Sequence, residues 1–370
     1  MTKEKVAFHQ RVIIGVELEG YTISTPENTI SRKLAFHRKG TAEKGENFRR
    51  DWSIGTEYNS RPFSSIREGL FLLKAGLRKY NQGLYRSKSP SRKGRQIFLV
   101  GGWKDRFAGA HAHVSIAGEN LKLEKARILT RHLHDHLPLL IAMSASSPVW
   151  GGEITSFASN RVLKGSRTYF KPIRPQELNL KSIHEITLNR GRRTKPPTLE
   201  IRVMDSNIPD FMMASCSIIK ACILGVLRKK KIINKITHYQ YLKSRTDAAR
   251  RGMEAHLCWN GEWIPVSRYL DRFFWAYREE IKAMDIPEDV WTVFKYLKRG
   301  YNASAILREA SLKAYREHPA TWQKRFAKRY VKAIHTLLEG NSIRDFTRAL
   351  GVNVPGVEKV WLGRKGLKLS

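Results

Sequence analysis

The chain contains little cysteine. Cys216, Cys222 and Cys258 are the three in 370 residues. They form no CxxC pair and do not have the spacing of zinc ligands, which excludes a structural zinc motif of that kind. A small, odd number also excludes the disulfide framework that stabilises small secreted domains. We therefore expect a protein of a reducing compartment.

Long hydrophobic runs are also lacking. The longest apolar stretches lie around residues 137–145 and 218–227. Both are too short or too interrupted to span a bilayer, which takes about 20 apolar residues. The N-terminal residues do not contain the apolar core of a signal peptide. These features predict a soluble, cytoplasmic protein.

Acidic residues are scarce relative to basic ones. The chain has 33 Asp and Glu against 68 Lys and Arg, which gives a formal net charge of +35. Such an excess is typical of proteins that bind a polyanion, most often nucleic acid, and it does not distinguish DNA from RNA. A basic surface that serves only solubility is the alternative interpretation.

What the chain does contain is three half-apolar strands with polar side chains at alternate positions. These side chains are Glu17 and Glu19 in the first strand, His111, His113 and Ser115 in the second, and Glu200 and Arg202 in the third. Residues two apart in a strand point to the same face. Any one pair alone is more typical of the solvated face of an antiparallel sheet than of a functional site.

Together, the three polar faces have a chemical meaning. A sheet that joined them would collect carboxylates, imidazoles and a guanidinium in one concavity. Carboxylate oxygens are the ligands that Mg²⁺ prefers, and an arginine offers a fork of donors to phosphate. The combination predicts nucleotide-dependent phosphoryl transfer.

Further along, residues 121–146 have the pattern of one helix with Pro138 inside it. His132, His134 and His136 lie in this helix. Only the first and last of them share a helical face, so surface histidines are a better interpretation than a metal site.

The chain divides by character near residue 232. Residues 1–231 contain the strands and form the predicted catalytic domain. Residues 232–370 show amphipathic helical patterns and remain basic. In this region, Trp322–Tyr330 alternates cations with aromatic residues, which suits nucleic acid but also an ordinary amphipathic helix. Residues 342–360 resemble a helix-turn-helix, with Gly351 at the turn.

The order of these motifs resembles the amidoligase family, the carboxylate–amine ligases with the glutamine synthetase and glutamate–cysteine ligase fold. The resemblance covers about residues 10–225, and its motifs run from Gly15–Gly20 through Asp51, Glu57, the 109–115 strand and Ser146–Pro148 to Glu200–Asp205. It implies an α+β fold, in which a curved, mostly antiparallel sheet has helices on one side. A basic, helical C-terminal region would follow.

The resemblance also implies roles for individual residues. The implied Mg²⁺ ligands are Glu17, Glu19, Glu57, His111 and Glu200, of which Glu57 is also placed with Arg202 among the catalytic residues. Arg202 would neutralise the transferred phosphoryl group. The implied contacts to ATP, phosphate or substrate are His113, Ser115, Arg161 and Arg190.

By the same resemblance, ATP would phosphorylate a carboxylate and an amine would displace the phosphate, which leaves an amide. We expect ATP and Mg²⁺ as cofactors, and a nucleic acid or another polyanion as a partner or substrate. Two alternatives stay open at this point. One is a phosphotransferase on the same fold, and the other is a nucleic-acid-binding protein on a decayed ligase scaffold.

Overall fold

The computed structural model describes residues 7–31, 46–49, 51, 54–88, 93–165, 170–178, 184–191 and 195–357. Its strands are β1 Val12–Ser24, β2 Thr29–Ser31, β3 Asn47–Arg49, β4 Thr56–Asn59, β5 Arg95–Phe98, β6 Gly109–Ile116, β7 Val149–Trp150, β8 Glu153–Ile154, β9 Ile186–Asn189, β10 Thr198–Asp205, β11 His256–Trp259 and β12 Glu262–Pro265. Its α-helices are α1 Ile66–Tyr85, α2 Leu123–His134, α3 Leu137–Ser144, α4 Asn160–Gly165, α5 Pro209–Leu227, α6 His238–Arg251, α7 Val266–Ala276, α8 Arg278–Lys282, α9 Glu288–Lys298, α10 Ala303–Glu317, α11 Trp322–Leu338 and α12 Ile343–Leu350.

One antiparallel sheet organises the fold. Its strands lie in the order β3-β4-β1-β6-β10-β9, and β2 and β5 pair with the far end of the long strand β1. Along β1 the apolar residues Val12, Ile14, Val16 and Leu18 are buried, while Glu17 between them is half-buried. The alternation gives the sheet a core face and a polar face, and the predicted α+β fold with an antiparallel sheet is confirmed.

The central helix α5 covers the apolar side of the sheet. Pro209 occupies its first turn, where a missing N–H costs nothing. From Pro209 to Gly225 every residue is buried, and the Lys220 ammonium donates to the Val12 carbonyl at 3.1 Å. By length and composition α5 could cross a membrane, but 89% of it is buried inside the protein. It is therefore a core helix in this fold.

The predicted helix over 121–146 is two helices. The break falls at Asp135 and His136, and Pro138 lies in the first turn of α3. His134 and His136 are buried, so the expectation of surface histidines was wrong for both. His134 stacks on Tyr241, and His136 Nδ1 lies 2.9 Å from the Tyr269 hydroxyl. Both histidines are structural groups packed among aromatic rings.

The C-terminal helices share the hydrophobic core of the sheet. The Phe326 ring stacks on Trp103 with centroids 4.7 Å apart, and the Tyr330 hydroxyl accepts a hydrogen bond from the Leu99 N–H at 3.2 Å. The aromatic residues of Trp322–Tyr330 therefore face inward, as in an ordinary amphipathic helix. The boundary between residues 231 and 232 stays a prediction, and both sides of it contribute to one core.

The region after residue 232 contains a β-hairpin, which the helical expectation did not include, and the first helix of the predicted helix-turn-helix. β11 and β12 form a hairpin whose turn residues Asn260 and Gly261 both have positive φ, at 49° and 89°. An Asn-Gly pair is typical of such two-residue hairpins. The predicted first helix near 342–360 is α12, capped by Ser342 and ended by Gly351 at φ 82°. Half of its predicted partner, residues 358–360 of 355–360, lies outside the described residues.

Candidate active site

The sheet brings the three polar faces together. In its register Glu17 is opposite His111, His113 is opposite Glu200, and Glu19 is opposite Glu57. Directly opposed residues on neighbouring strands have their side chains on the same face. The polar groups of β4, β1, β6 and β10 therefore form one continuous cluster.

The centre of this cluster is His111. Its Nδ1 atom lies 3.2 Å from Glu17 Oε1 and 3.2 Å from Glu200 Oε1, and its Nε2 atom lies 4.0 Å from Glu19 Oε1. Potential ligand atoms of Glu17, Glu19 and His111 all lie within 4.8 Å of one another. Two carboxylates and an imidazole at this separation fit a hard divalent cation such as Mg²⁺, which retains water and phosphate as further ligands.

The carboxylates of the cluster differ in their proton affinity. Burial raises the pKa of Glu19 to about 8, with help from the nearby Asp51 and Glu17 carboxylates. Burial acts in the same direction on Glu17, but hydrogen bonds from His111 and His113 outweigh it and lower the pKa of Glu17. Burial and the Arg202 charge lower the pKa of His111. A bound cation would offset the negative charge of these buried carboxylates.

A bulge in β10 shapes the surroundings of Arg202. Between Ile201 and Met204 the strand has one more residue than β6 opposite it. Arg202 forms an ion pair with Glu200, and its backbone N–H donates to the Glu185 carbonyl at 2.8 Å. The Arg202 carbonyl accepts a hydrogen bond from Arg161 Nη2 at 3.1 Å. The Arg161 guanidinium is therefore fixed to the backbone of the bulge.

Arg161 lies in the first turn of α4 and is 2% exposed. Its guanidinium packs over the Phe170 ring at 4.5 Å. The start of α4 is fixed by Asp205, which accepts hydrogen bonds from Ser147 Oγ at 2.7 Å and Ser159 Oγ at 2.9 Å. The Ser147 hydroxyl oxygen accepts the Arg161 N–H at 3.2 Å. Asp205 is thus a positioning residue for Arg161.

The other residues implied by the resemblance lie at the edges of the cluster. Glu57 is buried in β4 and accepts a hydrogen bond from Asn59 Nδ2 at 2.5 Å. Ser115 follows His113 on the same face of β6, and His113 Nε2 lies 3.7 Å from Glu17 Oε2. Arg190 is exposed just after β9. The described contacts connect its neighbour Asn189, rather than Arg190, to the cluster.

Sequence reasoning missed the residues of β9 and β10 that orient the cluster. Asn189 Nδ2 donates to Glu200 Oε2 at 2.7 Å, and the Thr187 hydroxyl donates to the same oxygen at 3.2 Å. The Thr198 hydroxyl lies 3.2 Å from His113 Nδ1. The alternation of Thr187 and Asn189 with buried Ile186 and Leu188 is the signal that would have found this strand.

The sequence is similar to that of known ligases. The family model of glutamate–cysteine ligase family 2 matches residues 95–163, which include β6 with His111 and His113 and reach Arg161. A protein named glutamate–cysteine ligase 2 from Bradyrhizobium diazoefficiens is 23% identical over 261 residues, which are 64% of this chain and 59% of that protein. One from Mycobacterium ulcerans is 44% identical over 55 residues, covering 15% of this chain and 13% of its own. The chain thus spans less than two thirds of these relatives.

Solved structures show the same fold at low sequence identity. The Pup ligase PafA, in its complex with the prokaryotic ubiquitin-like protein Pup, has a TM-score of 0.58 and 12% identity. This match covers 93% of the present chain and 80% of PafA. Glutamate–cysteine ligase from Francisella tularensis, in complex with AMP, has a TM-score of 0.55 and 12% identity, with 92% of each chain covered.

The chain therefore has the fold of these ligases. The resemblance to the amidoligase family that the sequence predicts is confirmed. Within that class, the sequence is similar to glutamate–cysteine ligase family 2.

Proposed function

We propose that the protein is an ATP- and Mg²⁺-dependent ligase that joins a carboxylate to an amine through an acyl phosphate. One observation carries this proposal. Glu17, Glu19, His111 and Glu200 converge on one sheet face, with the Arg202 guanidinium paired to Glu200. A phosphoryl-transfer site needs this combination, because the main demand of its transition state is compensation of negative charge.

The residues of the cluster divide into two groups. Glu17, Glu19, His111, Glu200 and the adjacent Glu57 would hold Mg²⁺, which supplies charge compensation for the phosphates of a bound nucleotide. Carboxylate oxygens predominate in this set, as Mg²⁺ prefers.

The nucleotide would lie toward His113 and Ser115. Gly15 is opposite His113, and a Cβ atom on it would have no heavy atom within 4 Å. The polar face therefore has open space beside His113. Arg161 and the exposed Arg190 are further candidates for contacts to phosphate or substrate.

The proposed reaction has two steps. A carboxylate oxygen of the substrate attacks the γ-phosphorus of ATP, and ADP leaves. The amine nitrogen then attacks the carbonyl carbon of the acyl phosphate, phosphate leaves, and the nitrogen loses a proton. The planar fork of Arg202 would donate to the phosphoryl oxygens while charge develops on them.

The charge of the chain bears on the substrate. A net charge of +35 favours an anionic substrate, with nucleic acid or another polyanion as its class. The positive field would raise the local concentration of such a substrate around the protein. A phosphotransferase that stops after the first step is the competing reaction.

Isothermal calorimetry of Mg²⁺–ATP binding tests the site. We expect Glu17→Gln and Glu200→Gln to weaken binding at least about tenfold, which corresponds to about 1.4 kcal/mol. Glu119→Gln is the matched control, because Glu119 forms a surface ion pair with Arg11 and lies outside the cluster. Unchanged affinity in both cluster variants would contradict the site. Mass spectrometry of the products then separates an amide with ADP and phosphate from a stable phosphoryl product.

A further inference from the structure

A second concave surface lies away from the polar face of the sheet. It is a groove of about 680 Å³ between α6 and the β11–β12 hairpin. We call it the α6 groove. The lining side chains that matter here are Tyr239, Lys243, Arg250, Arg251, His256 and Trp263.

The outer wall of the α6 groove is one face of a helix. Tyr239, Lys243, Thr246 and Arg250 recur every three or four residues, so their side chains lie along one side of α6. The opposite side of α6 is buried in the core, and it consists of Tyr241, Ser244, Arg245, Ala248 and Ala249. The polar and aromatic stripe is therefore the exposed face of an otherwise well-packed helix.

The groove is positively charged. Lys243, Arg250 and Arg251 are exposed, whereas the single carboxylate among the lining residues, Asp247, is already engaged. Asp247 Oδ1 accepts a hydrogen bond from Arg251 Nε at 2.7 Å, and Asp247 Oδ2 accepts the His256 N–H at 2.7 Å. The surplus charge suits a ligand with repeated negative groups, such as phosphates.

The groove also presents aromatic rings. The Tyr239 side chain is 71% exposed, and the Lys243 ammonium lies 4.8 Å from the centre of the Trp263 ring. The exposed Tyr239 ring among cations offers a stacking surface for an unpaired base, and the cations offer charge for the neighbouring phosphates. An acidic peptide would contact the cations but would leave the Tyr239 ring without a partner. Duplex nucleic acid would also leave it without a partner, because its bases already stack on each other.

We propose that the α6 groove binds single-stranded nucleic acid. Tyr239 would stack with a base, Trp263 would hold Lys243 in place beside it, and Lys243 and Arg250 would contact phosphates. This site differs from the C-terminal segment expected from the sequence, whose aromatic residues Trp322, Phe326 and Tyr330 are buried. The proposal does not depend on the ligase reaction.

The groove is one helix away from the candidate active site. The Arg250 carbonyl accepts the Ala158 N–H at 3.0 Å, and the Ala249 carbonyl accepts the Ser159 N–H at 2.8 Å, just before α4. On its buried side, α6 also contributes Arg245, which pairs with Glu185. A strand bound in the groove would therefore lie against the helix that supports Arg161.

Fluorescence anisotropy with a labelled oligothymidylate of about twelve nucleotides tests the proposal. Wild-type protein should bind it with an affinity that falls steeply between about 50 and 200 mM salt. Tyr239→Ala should weaken binding about fivefold or more, because loss of one stacked base costs about 1–3 kcal/mol. The double variant Lys243→Ala/Arg250→Ala should reduce the salt slope by about 1.4, from about 0.7 for each lost phosphate contact.

Tyr315→Ala is the control, because Tyr315 is also exposed, at 47%, but lies on α10 outside the groove. It should bind as the wild type does. Equal affinities of Tyr239→Ala and Tyr315→Ala would overturn the proposal. The proposal would also be overturned if oligoglutamate displaced the labelled oligonucleotide as effectively as unlabelled oligothymidylate does, since that result would indicate a site for acidic peptides. Unchanged Mg²⁺–ATP binding in the groove variants would show that the α6 groove and the candidate active site are independent, so that a failure of one proposal leaves the other intact.

Discussion

Gly109 is the point at which the polar face has least room. It begins β6 on the same face as His111, and its N–H donates to Glu19 Oε2 at 2.5 Å. A Cβ atom here would lie 2.9 Å from His111 Nε2 and 3.0 Å from Arg161 Cζ, and closer still to one guanidinium nitrogen. Gly109→Ala therefore forces His111 or Arg161 to move. Arg161 is buried against Phe170 and hydrogen-bonded to the Arg202 carbonyl, so moving it would lose these contacts and destabilise the folded state.

Gly15→Ala is the matched control for the stability of Gly109→Ala. Gly15 lies on the same face of the sheet, and an added Cβ would meet no heavy atom within 4 Å. Both variants restrict the unfolded chain equally, so their difference isolates the clash, which we expect to cost about 1–3 kcal/mol. With an unfolding entropy of about 2.1 cal/mol/K per residue over 370 residues, or about 0.8 kcal/mol/K, this is a Tm difference of about 1–4 °C.

Two measurements check the Gly109→Ala prediction. Scanning calorimetry should place its Tm below that of Gly15→Ala. Isothermal calorimetry should show Mg²⁺–ATP binding at least about tenfold weaker than in the wild type, because the displaced groups belong to the proposed ligand set. Equal Tm values of the two variants, or wild-type Mg²⁺–ATP affinity in Gly109→Ala, would refute the reasoning.

Two other predictions follow from the structure. Arg202→Lys keeps the charge but loses the planar fork of the guanidinium. We therefore expect the rate of ADP formation to fall about 100-fold while the affinity for Mg²⁺–ATP changes little. A wild-type rate would show that Arg202 is a structural strand residue. Burial, and then the charge of His132, lowers the pKa of His136 to about 3, so between about pH 6.5 and 3 the unfolded chain binds a proton that the folded chain does not. The free energy of unfolding should therefore fall by up to about 1.4 kcal/mol per pH unit as pH drops through this window, and urea titrations should show a shallower dependence in His136→Phe; an identical slope would contradict it.

The strand faces of the candidate site could be predicted from the sequence because a strand has a strict period of two. Glu17 and Glu19, or His111 and His113, share a face in whatever sheet contains them. Their chemistry and order along the chain were enough to indicate the family. The same local reasoning could not decide between a core and a ligand for Trp322–Tyr330, because a stripe of aromatic residues has one pattern in either case.

Other parts of the site depend on contacts between segments far apart in the chain. The hydrogen bond from Arg161 to the Arg202 carbonyl and the support of α4 by Asp205 both join residues that are about 40 or more positions apart. The bulge between Ile201 and Met204 shifts the register of β10 against β6. Periodicity carries no information about such pairings. The α6 groove is likewise formed by two elements whose distance is set by packing.

The sequence by itself therefore determined which side chains share a strand face and the basic character of the chain, because these follow from local periodicity and composition. The antiparallel α+β class came from the resemblance of the motifs and their order to the amidoligase family. Tertiary structure alone decided that Glu17, His111 and Glu200 meet, that Arg161 supports Arg202, and that the C-terminal aromatic residues enter the core of the sheet. These outcomes depend on strand register and on which apolar faces meet, and both are chosen by the free energy of the whole fold.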